Sequence, residues 1–267
     1  MEYFGYIASF AMGIVLGLMG AGGSILTIPI LVYLFGVPPT LATSYSLFVV
    51  GATALVGSII AIRKGEVNFR TTLSFAIASI IGVNISRSII IPSIPVTIAQ
   101  IGSFVLTKET LIMVLFAILM TLASYSMIKR KTPHKSIRMQ LFKQAVFMAI
   151  QGLIVGILVG FVGAGGGFLI IPVLIFMGGL SMKTAVSTSL LIITIQSLLG
   201  FGSDIFRGQL VDWSILTAVA TIAIFGIIVG SRFTNRFDEQ NLKYIFGWMI
   251  LIMGITILAE QLLYLKT

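Results

Sequence analysis

Ten apolar runs, separated by short polar breaks, divide this chain. In the first half they cover about residues 3–19, 24–36, 43–62, 71–92 and 109–128. In the second half they cover about residues 145–162, 168–178, 184–203, 213–231 and 244–265. Most approach the ~20 apolar residues a helix needs to cross a bilayer. The second run of each half is shorter: ~13 residues rising 1.5 Å each give about 20 Å, less than the hydrocarbon thickness. The pattern predicts an all-α polytopic membrane protein with two repeat halves, 1–128 and 144–267, joined by a basic linker over 129–143. Segment 93–108 reads as a loop. Composition agrees, with 58% hydrophobic and only 9% charged residues, against about 25% charged in ordinary soluble domains.

The halves are copies of one another. Gly20-Ala-Gly-Gly-Ser24-Ile-Leu-Thr-Ile-Pro29 returns as Gly163-Ala-Gly-Gly-Gly167-Phe-Leu-Ile-Ile-Pro172. The same offset of about 143 residues pairs Ser44 with Ser187 and Ser46 with Ser189, and about 16 of roughly 41 positions are identical over Gly17–Gly57. Each copy breaks an apolar run with a glycine cluster at the same place. In membrane transporters, paired interruptions of this kind point to the binding site.

Basic residues set the expected orientation. The linker holds Lys129, Arg130, Lys131, Lys135, Arg138 and Lys143, which places it in the cytoplasm. Counting back, 93–108 falls outside, 63–70 with Arg63, Lys64 and Arg70 falls inside, and Gly36–Thr40 falls outside without charge. In the second half, inverted topology puts 232–243, with Arg232, Arg236 and Lys243, inside; parallel copies put it outside. Inversion fits the charges better. It requires that the first two segments of each half form a re-entrant-like hairpin with no net crossing, its tip the glycine cluster, followed by three spanning helices. Both chain ends then lie outside. The N-terminus lacks a basic n-region and reads as a retained segment rather than a signal peptide.

Irregular backbone at membrane depth needs protein or a water-filled cavity around it. Glycines 20, 22, 23, 163, 165, 166 and 167, with Ala21, Ala164 and Ser24, would let a ligand approach the main chain. The helices that follow would offer free N–H groups and a positive dipole end to an anion. Pro29 and Pro172 sit inside those helices and should distort them. Ser44, Ser46, Ser187 and Ser189 open the third segments; helix capping and donation to an anion are both open to them. Gln196 reads either as interhelical glue or as a substrate or proton-path contact. Arg87 and Arg232 lie near span ends, where drawing anions into a vestibule and snorkelling to the interface are the two readings. Gly13, Gly17, Gly152, Gly156, Gly160, Gly226 and Gly230 read as close helix contacts.

Several function classes are excluded. The net charge of +9 resides in loops between apolar runs, so no surface remains for a nucleic-acid groove. The chain has no cysteine, and no metal-ligand cluster or nucleophile–base constellation is visible, so neither an enzyme nor a metal or other cofactor is expected.

Gly17-Leu-Met-Gly-Ala-Gly-Gly-Ser24 with Pro29, and Gly160-Phe-Val-Gly-Ala-Gly-Gly-Gly167 with Pro172, resemble the repeated signature of the TauE/SafE, or TSUP, family of membrane transporters. Ala42-Thr-Ser44-Tyr-Ser46 and Ala185-Val-Ser187-Thr-Ser189 also fit. The resemblance covers nearly the whole chain. It implies secondary transport of small sulfur-containing anions such as sulfite, thiosulfate or organosulfonates, often outward, with a proton or sodium ion as candidate coupling ion. A passive anion channel, a carrier of non-sulfur organic anions and a membrane scaffold are the competing readings.

Overall fold

The structure, a computed structural model, describes residues 2–101, 104–128, 141–163, 166–176, 178–233 and 239–264. Residues 129–140, which hold most of the expected linker, lie outside the described residues, as do Ala164 and Gly165.

The first half opens with α1 (Glu2–Met19). A 3-10 turn over Gly20–Leu26 leads to α2 (Thr27–Pro29) and a π turn over Ile30–Leu34. The long helices α3 (Pro39–Arg63) and α4 (Phe69–Ile85) follow, and α4 continues through a π turn at Ser86–Ile90 into α5 (Ile91–Ser93). The segment read as a loop contains a two-stranded antiparallel hairpin, β1 (Thr97–Ile101) and β2 (Phe104–Thr107), irregular between Thr97 and Ala99. Its four-to-five-residue strands are too short to leave a periodicity in the sequence. Helix α6 (Lys108–Ile128) closes the half. The second half runs α7 (Leu141–Val162), α8 (Gly167–Phe176), α9 (Met182–Phe206), α10 (Trp213–Phe233) and α11 (Glu239–Tyr264).

Among the described residues, five stretches are long and apolar enough to cross a membrane: Pro39–Arg63, Phe69–Ser93, Lys108–Tyr125, Met182–Phe206 and Trp213–Phe233. Their faces are arranged for lipid. On α4, Phe69, Leu73, Ile77 and Ile81 form an exposed stripe, whereas Thr72, Ala76 and Ser79 point inward. Helix α7 does the same, with Val146, Ile150 and Ile154 outward and its glycines inward. Lipid replaces the hydrophobic drive between helices, so small residues take the contacts. The protein is therefore a multi-pass helical membrane protein.

Those small residues also fix helix directions. Gly226 meets the carbonyl of Phe10 and Gly230 that of Ile14, so α1 and α10 run parallel. Gly152 meets the carbonyl of Phe75 and Gly156 that of Ser79, so α4 and α7 run parallel. Gly57 lies against Leu190, Gly51 against Leu198 and Gly200 against Leu47, so α3 and α9 run antiparallel. The segment after α1 doubles back along it: Gly23 lies against Leu16, and the Phe35 ring meets Tyr6 edge-on at 5.2 Å. Helix α8 packs against the Gly20–Leu26 turn, bringing the two glycine clusters into one region. Ile25, Ile28, Phe161 and Val162 share a buried cluster there with Phe116 of α6 and Ile250 of α11.

Candidate functional site

Each glycine tip docks on the third helix of the opposite half, α9 for the first tip and α3 for the second. Gly20, at φ 63°, lies so close to Val186 of α9 that a Cβ would collide with its side chain. Gly163, at φ 79°, stands in the same way against Thr43 of α3, 2.5 Å from its Cα if a Cβ were added. Left-handed backbone and close approach together require glycine at both points. Val186 and Thr43 are equivalent positions of the repeat, each one residue before the paired serine. The first tip, including Ala21, Gly22 and Gly23, is coiled into the 3-10 turn, with Ser24 fully buried at its heart. In the second, Gly166 is left-handed at φ 69° and its carbonyl accepts from Leu169 and Ile170 as α8 begins at Gly167. The expected proline distortion is present after Pro29 as the π turn over Ile30–Leu34, while Pro172 lies inside α8.

The serine beyond each tip hydrogen-bonds to a carboxylate from the other half. Ser44 donates to Asp204 Oδ2 at 2.5 Å. Ser187 donates to Glu66 Oε2 at 3.1 Å. Asp204 sits in the last turn of α9 and Glu66 follows the end of α3, so the pattern is twofold. Neither serine caps its own helix: α3 opens at Pro39 with no side-chain cap, and Ser181 caps α9 by accepting from Thr184 N. The two ends differ in depth. Lys183 pairs with Glu66 at 2.9 Å with its side chain half exposed. At the other end the partner is buried Arg87, whose Nη1 donates to Asp204 Oδ2 at 2.9 Å and to Ser44 Oγ at 3.1 Å. Arg207 adds a second cation on Asp204 Oδ1 at 3.1 Å.

Of the two readings of Arg87, the structure corrects snorkelling to the interface. Arg87 is only 4% exposed. The reason is Asp204: a buried guanidinium is tolerated when a carboxylate compensates it. Arg232, exposed in the last turn of α10, is not its structural counterpart. Asp204, not among the residues expected at the site, is the hub of this cluster. The sequence carried a signal for both, since each is a charge in an otherwise apolar run, but their pairing across 117 residues was invisible in it.

The remaining expected residues divide. Ser189 donates back to Val186 O of its own helix at 2.7 Å. Gln196 accepts from the hydroxyl of Ser79, which ties α9 to α4 as interhelical glue. Ser46, Ser86 and Ser197 bury hydroxyls without a hydrogen-bond partner among the described residues, and so does Arg87 at Nε and Nη2. Gly160, just before the second tip, approaches Ser86 so closely that a Cβ would lie 2.8 Å from that of Ser86. Gly163, Thr43, Ser44, Ser86, Arg87 and Asp204 are therefore one neighbourhood. A separate cleft of about 400 Å³ between α1, the Leu26–Leu34 segment and α11 is lined almost wholly by apolar side chains and offers nothing to an anion.

Comparison with known proteins finds membrane transporters that align with nearly the whole chain. A probable membrane transporter protein of Xylella fastidiosa is 29% identical over 252 residues, spanning 92% of this chain and 91% of the relative. The probable membrane transporter protein YunE of Bacillus subtilis is 28% identical over 286 residues, 94% of this chain and 98% of the relative. A probable membrane transporter protein of Methanocaldococcus jannaschii is 27% identical over 269 residues, covering 94% and 93%. No solved structure gives a significant match. The family model for the sulfite exporter TauE/SafE matches residues 6–257, and the chain belongs to that family.

Proposed function

We propose that the protein is a secondary transporter that moves small sulfur-containing anions across the cell membrane by alternating access. Its two halves act as inverted-topology repeats, 1–128 and 144–267, and the anion sits between the two hairpins. The observation that carries this reading is the repeated cross-half docking, Gly20 on Val186 and Gly163 on Thr43. The parallel α1–α10 and α4–α7 pairs, the antiparallel α3–α9 pair and the doubling back after α1 support inversion. Motion of one half against the other would open the central region to each face in turn. Backbone N–H groups at the tips and the buried hydroxyl of Ser46 supply donors suited to an anion, while the hydroxyls of Ser44 and Ser187 are committed to Asp204 and Glu66. The basic linker faces the cytoplasm, both termini lie outside, and a proton or sodium ion couples the cycle.

Reconstitution of the full chain into liposomes tests this. Saturable uptake of labelled sulfite or thiosulfate, accelerated by unlabelled anion on the opposite side, is the expected result. Flux that rises linearly with concentration and shows no exchange would replace the transporter with a passive channel. Uptake of carboxylates without uptake of sulfur anions would move the substrate to the non-sulfur organic class.

A further inference from the structure

The free edge of the Arg87 guanidinium is the feature that the fold leaves unused. A guanidinium presents two forks: the two terminal nitrogens on one side, and Nε–H with Nη2–H on another. In this protein Nη1 is engaged by Asp204 and Ser44. Nε and Nη2 are both buried and both without a partner among the described residues. The orphaned donors are thus not scattered; they form one intact fork. Leaving such donors unsatisfied in a buried setting is costly, so a pair of them asks for a ligand.

We propose that Arg87 is the anion-coordinating residue, binding a monovalent oxyanion in bidentate fashion through Nε and Nη2 while Nη1 stays anchored to Asp204. This rests on the anion-transport reading and names the group that would hold the substrate. Three further observations agree. The hydroxyl of Ser86, the preceding residue in the chain, is also buried and without a partner among the described residues, a further donor in the same neighbourhood. Ser86 and Arg87 lie on a π turn over Ser86–Ile90, and such turns recur at functional sites because they break the helical side-chain register. Two guanidiniums, Arg87 and Arg207, share the single carboxylate of Asp204. That leaves one positive charge, which a monovalent anion neutralises. The fork selects for two oxygens held side by side, as in a sulfonate, hydrogen sulfite or carboxylate, over a monatomic halide.

The test is thermal unfolding of the detergent-purified full chain, titrated with methanesulfonate, sulfite, acetate and chloride. Oxyanions should stabilise the protein at concentrations where chloride does not. In Arg87→Lys, which keeps the charge for Asp204 but has no fork, oxyanion binding should weaken about ten- to a hundredfold. Absence of any oxyanion shift in the wild type, an equal shift with chloride, or unchanged affinity in Arg87→Lys overturns the proposal. If Arg87→Lys does not fold, the double variant Arg87→Gln with Asp204→Asn removes both charges together. Oxyanion binding at wild-type affinity in that variant overturns it equally. Flux separates the two readings. Binding without transport in liposomes defeats the transporter and spares the site, whereas wild-type flux with an unchanged KM in Arg87→Lys defeats the site and spares the transporter.

Discussion

The hydroxyl of Tyr45 accepts a hydrogen bond from the backbone N–H of Asp212 at 2.5 Å, across the boundary between the halves. Thr188, the repeat equivalent of Tyr45, does the same for the backbone N–H of Asn68 at 3.0 Å. Asp212 and Asn68 stand just before α10 and α4, and the side chain of each accepts from backbone N–H groups of the first turn. Each third helix therefore fixes the start of the fourth helix in the opposite half. The halves are laced together by one contact used twice.

Tyr45→Phe keeps the buried ring, which is only 2% exposed, and deletes the acceptor. Stability should fall by about 1–2 kcal/mol, because the Asp212 N–H loses its partner. Thr188→Val should behave alike at Asn68. Thermal unfolding in detergent measures both, and a double variant whose losses add would show the two ends acting independently.

Gly36 and Gly20 share a left-handed backbone, at φ 67° and 63°, but only Gly20 is crowded. A Cβ at Gly36 meets nothing within 4 Å, whereas one at Gly20 strikes Val186. Gly36→Ala should cost about 1–2 kcal/mol, the left-handed penalty alone. Gly20→Ala should cost more, by the overpacking of about 1–3 kcal/mol. Equal losses in thermal unfolding would mean that the tip does not dock tightly on α9.

Asp204→Asn strips the countercharge from two guanidiniums, one of them buried. The expected loss is about 3–5 kcal/mol, as for breaking one side of a buried pair. Glu66→Gln removes the repeat-related contact, where the Lys183 side chain is 52% exposed. There the loss should stay below about 1 kcal/mol, because solvent screens the pair. A comparison of the two unfolding midpoints checks this asymmetry.

Topology is open to direct labelling, since the chain has no cysteine. Single cysteines at Thr40 and Gln209 should react with an impermeant thiol reagent applied from outside. Cysteines at Lys64 and Lys183 should react only after the membrane is permeabilised. Labelling of Thr40 and Gln209 from opposite faces would exclude the inverted arrangement.

Much of the molecule was legible in the chain itself. Apolar run lengths located the helices to within a few residues, from α3 at Pro39–Arg63 to α10 at Trp213–Phe233. They did so because a bilayer demands internally bonded backbone over a set length. The repeat located both glycine tips, and positive φ at Gly20 and Gly163 follows from what glycine alone tolerates. The short hairpin β1–β2 escaped, since strands of this length share no period with their surroundings. What tertiary structure alone decided is the partnering of polar groups. Ser44, Arg87, Asp204 and Arg207 come from three separate stretches of chain; read singly, Ser44 is a cap or an anion donor, Arg87 a vestibule or snorkelling cation, and neither Asp204 nor Arg207 stands out as a site residue. Sequence determines which residues must leave water; only the fold determines which charge waits for them there, because electrostatic compensation acts over a few ångströms of space and not along the chain.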